Sequence, residues 1–323
     1  MIGVVGGGAW GTALARLAAR SAQEVALWVR DPERAAELTQ RRENDRYLPG
    51  VAIPANVLVT TDLAEATRGR QVVVHAVPSH ATREVAKAYA EHLDADAVVA
   101  SATKGLEAGT NRTMSQLLEE ITGRAVVALS GPNHAEEVGR DQPSAAVAAH
   151  PRYPLGQRVA VALGGPTFKV YPHPDRSGVE VCGAYKNVVA IATGMGAGLG
   201  YGDNTQAALI TLGLHEMARL LPILGGERRT AYGLAGVGDL VATCTSRHSR
   251  NRFFGRRVGE GATVKETIDE LGGKVVEGYY AARAFRELGE AHGLEMALTR
   301  SVSDVVEGRA SVQEAMRALV ALV

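Results

Sequence analysis

The sequence predicts two architectures in succession: an α/β domain with a doubly wound, mostly parallel sheet over residues 1–178, then an all-helical domain over residues 179–323. Three observations carry this reading. Short apolar runs alternate with helical segments through the first half, as parallel strands joined by helices require. A cluster of glycines separates the first apolar run from the first helix. From about Gly178 onward, strand-like runs give way to helical spacing. With 323 residues, 46% of them hydrophobic and 22% charged, the chain is ordinary in composition and has room for two domains of roughly 100 to 200 residues each.

Residues 1–5 (MIGVV) read as a short buried strand, 6–11 supply G-x-G-x-x-G, 12–20 have helical apolar spacing, and 24–29 (EVALWV) read as a second strand. In that setting the glycines form a dinucleotide-binding turn of the Rossmann type. Gly6 permits the tight turn, Gly8 lets the backbone approach a pyrophosphate, and Gly11 allows close packing of a helix whose N-terminal amides face the phosphates. At the end of the second strand an acid binds a ribose 2′-hydroxyl, whereas an arginine accommodates a 2′-phosphate. Arg30 comes first and favours NADP; Asp31 follows it and leaves NAD open.

Further strands are expected at 71–76, 97–100 and 125–129, with helices at 81–92 and 113–120 between them; 144–149 and 167–171 add strands around a helix at 152–163. The loops VPSH (77–80), SATKGLE (101–107) and SGPNHAEE (130–137) follow the carboxyl ends of strands, where ligands of such sheets lie. Lys104 is thereby placed at the crevice, with a surface loop as the alternative. The second domain should contain helices from 185 onward and at 205–224, 264–270, 277–292, 296–307 and 312–322.

The formal charge is zero and the pI near 7.1, so no global field draws the chain to nucleic acid or acidic lipid, and small-molecule chemistry is favoured. Cys182 and Cys244 have neither disulfide-framework nor zinc-site spacing, which fits a reducing, cytoplasmic setting with no metal. The amino terminus lacks a basic segment and breaks into glycines, so no secretory signal is expected. The uncharged, glycine-rich run 188–202 falls short of the roughly 20 residues a membrane span needs.

The stretch VCGAYKNVVAIATGMGAGLG (181–200) holds a single positive charge, Lys186, whose helical neighbours are Cys182, Gly183, Val189 and Ala190. That is a costly place for an ammonium unless its head reaches water. Only six of the 35 basic residues are lysine, so a lysine here suggests a need for an amine, which exchanges protons as guanidinium does not. In GLAGVGDLVATCTS (233–246) Asp239 is the only charge and shares a helical face with Thr243; it is placed to hold a substrate hydroxyl, to orient Lys186, or to cap a helix. The segment 247–257 carries five arginines and no acid, which suits an anionic group; Arg250 with Asn251 is arranged to fork onto phosphate oxygens.

Taken together, GGGAWGTALA (6–15), ATKGLE (102–107), GPNHAEEV (131–138), GAYKNVVAIATGMGAGLGYGDNTQAALI (183–210), GLAGVGDLVATC (233–244), SRNRFFG (249–255) and VVEG (275–278) resemble the NAD(P)-dependent glycerol-3-phosphate dehydrogenases. The resemblance spans most of the chain in the family's order. It implies reversible hydride transfer between NAD(P)H and dihydroxyacetone phosphate, giving sn-glycerol 3-phosphate for phospholipid synthesis, and a homodimer. On it Lys186 transfers the proton and Lys104, Asp239, Thr243, Arg250 and Asn251 contact substrate, with Gly131, Asn133 and Ser249 at other substrate positions. Ala9, Trp10, Arg30, Lys104, Ala135, Arg250, Val275 and Glu277 fall at cofactor positions beside Gly6, Gly8 and Gly11. Asn187 is expected to place the substrate hydroxyl, because small misalignments of reacting atoms cost rate.

Where the family commonly reads GPSFA this chain has GPNHA, so Asn133 replaces a hydroxyl with an amide and His134 an aromatic with a polar ring. His134 is read as a packed imidazole rather than a second acid. Three alternatives compete: a 3-hydroxyacid or 6-phosphogluconate type of dehydrogenase, whose lysine and asparagine are several residues apart rather than adjacent; a noncatalytic dinucleotide sensor; and RNA binding through 247–257.

Overall fold

The computed structural model describes residues 1–21, 24–272 and 276–322. The chain forms two compact units, Met1–Thr103 with Arg112–Arg176, and Lys104–Asn111 with Ser177–Val323.

In the first unit the strands are β1 (Ile2–Val5), β2 (Val25–Trp28), β3 (Glu43–Asn44), β4 (Leu48–Ala52), β5 (Val57–Thr60), β6 (Val72–His75), β7 (Val98–Ser101), β8 (Ala125–Ser130), β9 (Ser144–Ala149) and β10 (Phe168–His173). Eight of them build one sheet in the order β10-β9-β8-β7-β6-β1-β2-β5, while β3 and β4 pair separately. Every neighbouring pair in the large sheet is parallel except β8 and β9. The link between those two carries only the five-residue helix Ala135–Gly139, and the chain returns antiparallel.

Side chains along each strand alternate between two apolar layers, so both faces of the sheet are covered. Val4, Leu27, Val74 and Val127 pack with Leu14 and Leu17 of the helix Ala9–Ser21. Val5, Val73, Val99 and Val126 pack on the other face with Tyr89 of the helix Thr82–Ala90 and Leu118 of Met114–Thr122. Burial on both faces is why these strands read as unbroken apolar runs. Strands β3, β4 and β5 were not anticipated; β5, which carries the short apolar run VLV, lies at the sheet edge with Leu58 exposed.

The second unit is built on the helix Arg176–Gly198, which is buried on all sides from Gly178 to Gly196. It starts at Arg176 rather than at Tyr185, because Gly178, Gly183, Val179 and Val181 weaken helix propensity while burial on every side overrides it. Around it lie Asp203–Ile223, Asp239–Thr245, Arg250–Gly259, Val264–Glu270, Glu277–Ala291, Ala297–Val306 and Val312–Val320. Tyr185, Val188, Ile191, Met217, Phe254, Phe285 and Met316 form their common core. No helix among the described residues is long and apolar enough to cross a membrane.

Two of these helices touch through glycine. A Cβ on Gly194 would lie 2.2 Å from the Arg252 carbonyl oxygen, one on Gly255 2.1 Å from that of Ile191, and one on Gly259 2.5 Å from that of Met195. The backbones of 176–198 and 250–259 therefore meet directly. Gly255→Ala is expected to destabilise the protein by about 2 to 3 kcal/mol through overpacking, seen as a lower urea midpoint at unchanged m-value.

Candidate active site

Strand β1 ends in the glycine turn. Gly6 has φ +126°, a conformation that favours glycine, and a Cβ there would lie 2.5 Å from the Ala76 carbonyl oxygen. Gly11 lies against the same turn: its Cβ would fall 1.8 Å from Gly6 O. Gly8 differs, with nothing within 4 Å of where its Cβ would be. The helix Ala9–Ser21 begins immediately after it with no acid in its first turn, so its N–H groups and positive dipole end suit phosphate oxygens. Trp10 Nε1 beside them is buried without a hydrogen-bond partner. These features fit a dinucleotide.

At the end of β2, Asp31 caps the helix Pro32–Arg41 by accepting from Glu33 N at 3.0 Å, while Arg30 is exposed. Gly131, at φ +142°, turns the chain after β8, Asn133 is buried, and Ala135 opens the helix Ala135–Gly139.

In the second unit, the loop 104–111 and the helices 176–198 and 239–245 bring three ionised groups together. Asp239, 2% exposed, accepts from Lys186 Nζ at 2.5 Å through Oδ1 and from Lys104 Nζ at 2.8 Å through Oδ2. Lys186 also donates to Thr243 Oγ1 at 2.8 Å. Thr243, one turn after Asp239, in turn donates to the Asp239 backbone carbonyl at 2.6 Å, which fixes where its lone pairs point.

Two ammoniums share one carboxylate, leaving the cluster a surplus positive charge. Burial pulls Lys186 down to about 8, with Asp239 opposing and Lys104 assisting. Burial alone would raise the Asp239 carboxyl, but the two lysines outweigh it and hold the group below its ordinary value. Lys186 is thus a buried amine able to exchange a proton near neutral pH.

Asn187, beside Lys186, accepts from Asn251 Nδ2 at 2.9 Å, and Asn251 Oδ1 accepts from the Gly278 backbone at 2.9 Å. Ser249 caps the helix Arg250–Gly259 by accepting from Arg252 N at 3.2 Å; Arg250 is exposed at that helix's first residue. Glu277 opens the helix Glu277–Ala291, and Val275 lies outside the described residues. Lys104, Lys186, Asp239 and Thr243 therefore form one cluster, with the Asn187–Asn251 pair adjoining it in sequence. Gly6, Gly8, Ala9, Trp10, Gly11, Arg30, Gly131, Asn133 and Ala135 belong to the first unit.

Sequence reasoning missed Glu216. This buried acid accepts from Tyr185 Oη at 2.6 Å, Leu298 N at 2.7 Å, Thr299 N at 3.2 Å and Thr299 Oγ1 at 2.8 Å. Burial, then the Glu216 charge, keeps the Tyr185 phenol well above its ordinary pKa and so a neutral donor. The residue preceding Lys186 is thereby tied to the start of the helix Ala297–Val306. Glu216 sits among ordinary helical spacing, which gave no signal for it.

Models of the NAD-dependent glycerol-3-phosphate dehydrogenase N-terminus and C-terminus match residues 1–154 and 175–317. A glycerol-3-phosphate dehydrogenase [NAD(P)+] of Thermus thermophilus is 47% identical over 322 residues, covering 99% of this chain and 98% of its own. One from Moorella thermoacetica is 45% identical over 318 residues, covering 98% and 95%. The crystal structure of glycerol-3-phosphate dehydrogenase from Coxiella burnetii superposes with a TM-score of 0.93 at 38% identity, covering 99% of this chain and 98% of that one.

Proposed function

The chain belongs to the NAD-dependent glycerol-3-phosphate dehydrogenase family, and from that premise we propose that Lys186 is the proton-transferring residue of its reaction. The chain is an NAD(P)-dependent oxidoreductase that interconverts dihydroxyacetone phosphate and sn-glycerol 3-phosphate. The observation supporting the role of Lys186 is its buried amine sharing the Asp239 carboxylate with Lys104.

A dinucleotide would be held by the turn Gly6, Gly8 and Gly11 and the N–H groups that open the helix Ala9–Ser21, with Trp10, Ala135, Arg250 and Glu277 at further contacts. Exposed Arg30 beside a capping Asp31 supports a preference for the 2′-phosphate of NADP over NAD. Bound NAD(P)H supplies the hydride for C2 of the ketone. As C2 is reduced, negative charge grows on its oxygen, where surplus positive charge stabilises it. Lys186 donates its proton to that oxygen, and Asp239 and Thr243 hold the ammonium in place before transfer. In the oxidative direction the neutral amine takes the proton from the alcohol. Lys104 adds charge and lowers the proton affinity of Lys186; Arg250 supports the phosphate, with Gly131, Asn133 and Ser249 completing the substrate site. Residues 1–178 form the cofactor-binding part and 179–323 the substrate-binding part of this reading, in which the chain works as a cytoplasmic homodimer supplying phospholipid synthesis.

Oxidation of NADPH and of NADH with dihydroxyacetone phosphate, followed across pH, tests substrate, cofactor and proton donor together. Reduction needs the ammonium, so its rate is expected to fall as pH rises through about 8; oxidation needs the amine and should rise over the same range. Reduction that is flat through this window removes Lys186 as the donor. Sedimentation of the purified chain tests the dimer.

A further inference from the structure

The short pair β3–β4 stands outside the large sheet, and its fully buried Asn44 reaches back to the glycine turn. Arg34, itself held by Glu37 and Asp45, donates to Asn44 Oδ1 at 3.1 Å. A guanidinium only donates, so the Asn44 amide must turn its oxygen there and its nitrogen to the turn. Nδ2 donates to the Gly7 carbonyl oxygen at 3.0 Å and to Thr12 Oγ1 at 2.8 Å. The peptide joining Gly7 to Gly8 is planar and trans, so a carbonyl drawn inward to Asn44 sends the Gly8 N–H the opposite way. With glycine on both sides, no Cβ stops that peptide from turning over. The turn is also packed on one flank and open on the other: a Cβ on Gly7 would lie 2.7 Å from Val29 Cγ2, whereas one on Gly8 would meet nothing within 4 Å.

We propose that Asn44 is a positioning residue for the cofactor: by holding the Gly7 carbonyl inward, it makes the Gly7–Gly8 peptide present its N–H, not its oxygen, to the dinucleotide. This rests on the glycine turn holding the dinucleotide, as proposed above. A peptide turned over would set a carbonyl dipole against the phosphates, where the positive end of the helix Ala9–Ser21 also points. Arg34 acts one step further back, since it fixes which end of the Asn44 amide faces the turn. The polarity of the phosphate-facing turn is thereby set by a hairpin outside the large sheet.

Asn44→Leu keeps the branched shape and removes the amide without adding charge. Kd for NADPH, read by fluorescence titration, is expected to rise about tenfold or more, the effect of a buried carbonyl left without its donor. NADH should weaken by the same factor, because both cofactors share the part that meets the turn. KM for dihydroxyacetone phosphate and kcat at saturating NADPH should stay within about twofold of wild type, a split that general loosening of the fold would not give. Thr12→Val removes the second acceptor of Asn44 but leaves the Gly7 bond, and should bind NADPH within about twofold of wild type. Unchanged NADPH affinity in Asn44→Leu overturns the proposal. So does a loss confined to NADPH, which would place the effect at the 2′-phosphate, or a Thr12→Val enzyme as weak as Asn44→Leu, which would place it in the helix. The wild type supplies a reading that needs no variant to fold: the Gly8 amide proton resonance should move downfield when NADPH binds, as its N–H meets an acceptor. A Gly8 resonance that stays in place while NADPH binds overturns this proposal alone. A wild type that binds no dinucleotide overturns the cofactor site, and this proposal with it.

Discussion

Lys186→Met is expected to lower kcat for dihydroxyacetone phosphate reduction by about 10²- to 10⁴-fold, the usual contribution of a positioned acid or base. Methionine keeps the length and apolar stem of lysine and removes only the head group. Asp239 retains Lys104 as a partner, 2.8 Å away, so the carboxylate is not left alone and the fold should survive. KM for NADPH should change little, because the residue acts on the substrate oxygen. Lys186→Arg is the informative companion: it preserves positive charge but cannot release a proton at neutral pH. If Met and Arg lose activity equally, proton transfer is the larger part; if Arg retains much more, charge is. A Lys186→Met enzyme within tenfold of wild type would show that the proton comes from elsewhere.

Asp239→Asn should have the second largest effect, on stability and rate together. The substitution is nearly isosteric yet leaves two ammoniums facing each other, with Lys186 side-chain exposure at 7% and Lys104 at 18%. Breaking a buried ion pair from one side costs about 3 to 5 kcal/mol, which urea unfolding would register. The change in proton affinity has a definite sign. Burial and Lys104 both lower the Lys186 pKa and Asp239 opposes them, so without the carboxylate it falls below about 8. The pH at which reduction fails should therefore move toward acid, and the ammonium fraction at neutral pH should fall. Adding Lys104→Met to Asp239→Asn should move the profile partly back and recover stability. A profile left where it was would show that the carboxylate does not govern the amine.

Much of this was legible in the sequence because the physical demand fell on composition. An isolated lysine among apolar residues, a lone aspartate with a threonine one turn later, and glycines between a strand and a helix each announce a local requirement. The structure brings Lys104, Lys186, Asp239 and Thr243 into one hydrogen-bonded group, although the first and third are 135 positions apart. What stayed hidden depended on tertiary contact. Glu216 is an ordinary helical glutamate until Tyr185 and Thr299 converge on it, and the Gly278 N–H leaves no trace in residue type. Residues 176–184 were obscured by glycines and β-branched residues that tertiary burial forces into helix. One signal was available and went unread: Gly194 and Gly198 repeat at one-turn spacing, as do Gly255 and Gly259.

That seam bears on how the enzyme adapts. Side chains at a helix contact give a lineage many ways to adjust, since one volume can be traded for another across the gap. Main chain against main chain offers no such currency. The spacing between the segment bearing Lys186 and the one bearing Arg250 is then set by main-chain contact, with no side-chain volume at Gly194, Gly255 or Gly259 to adjust it.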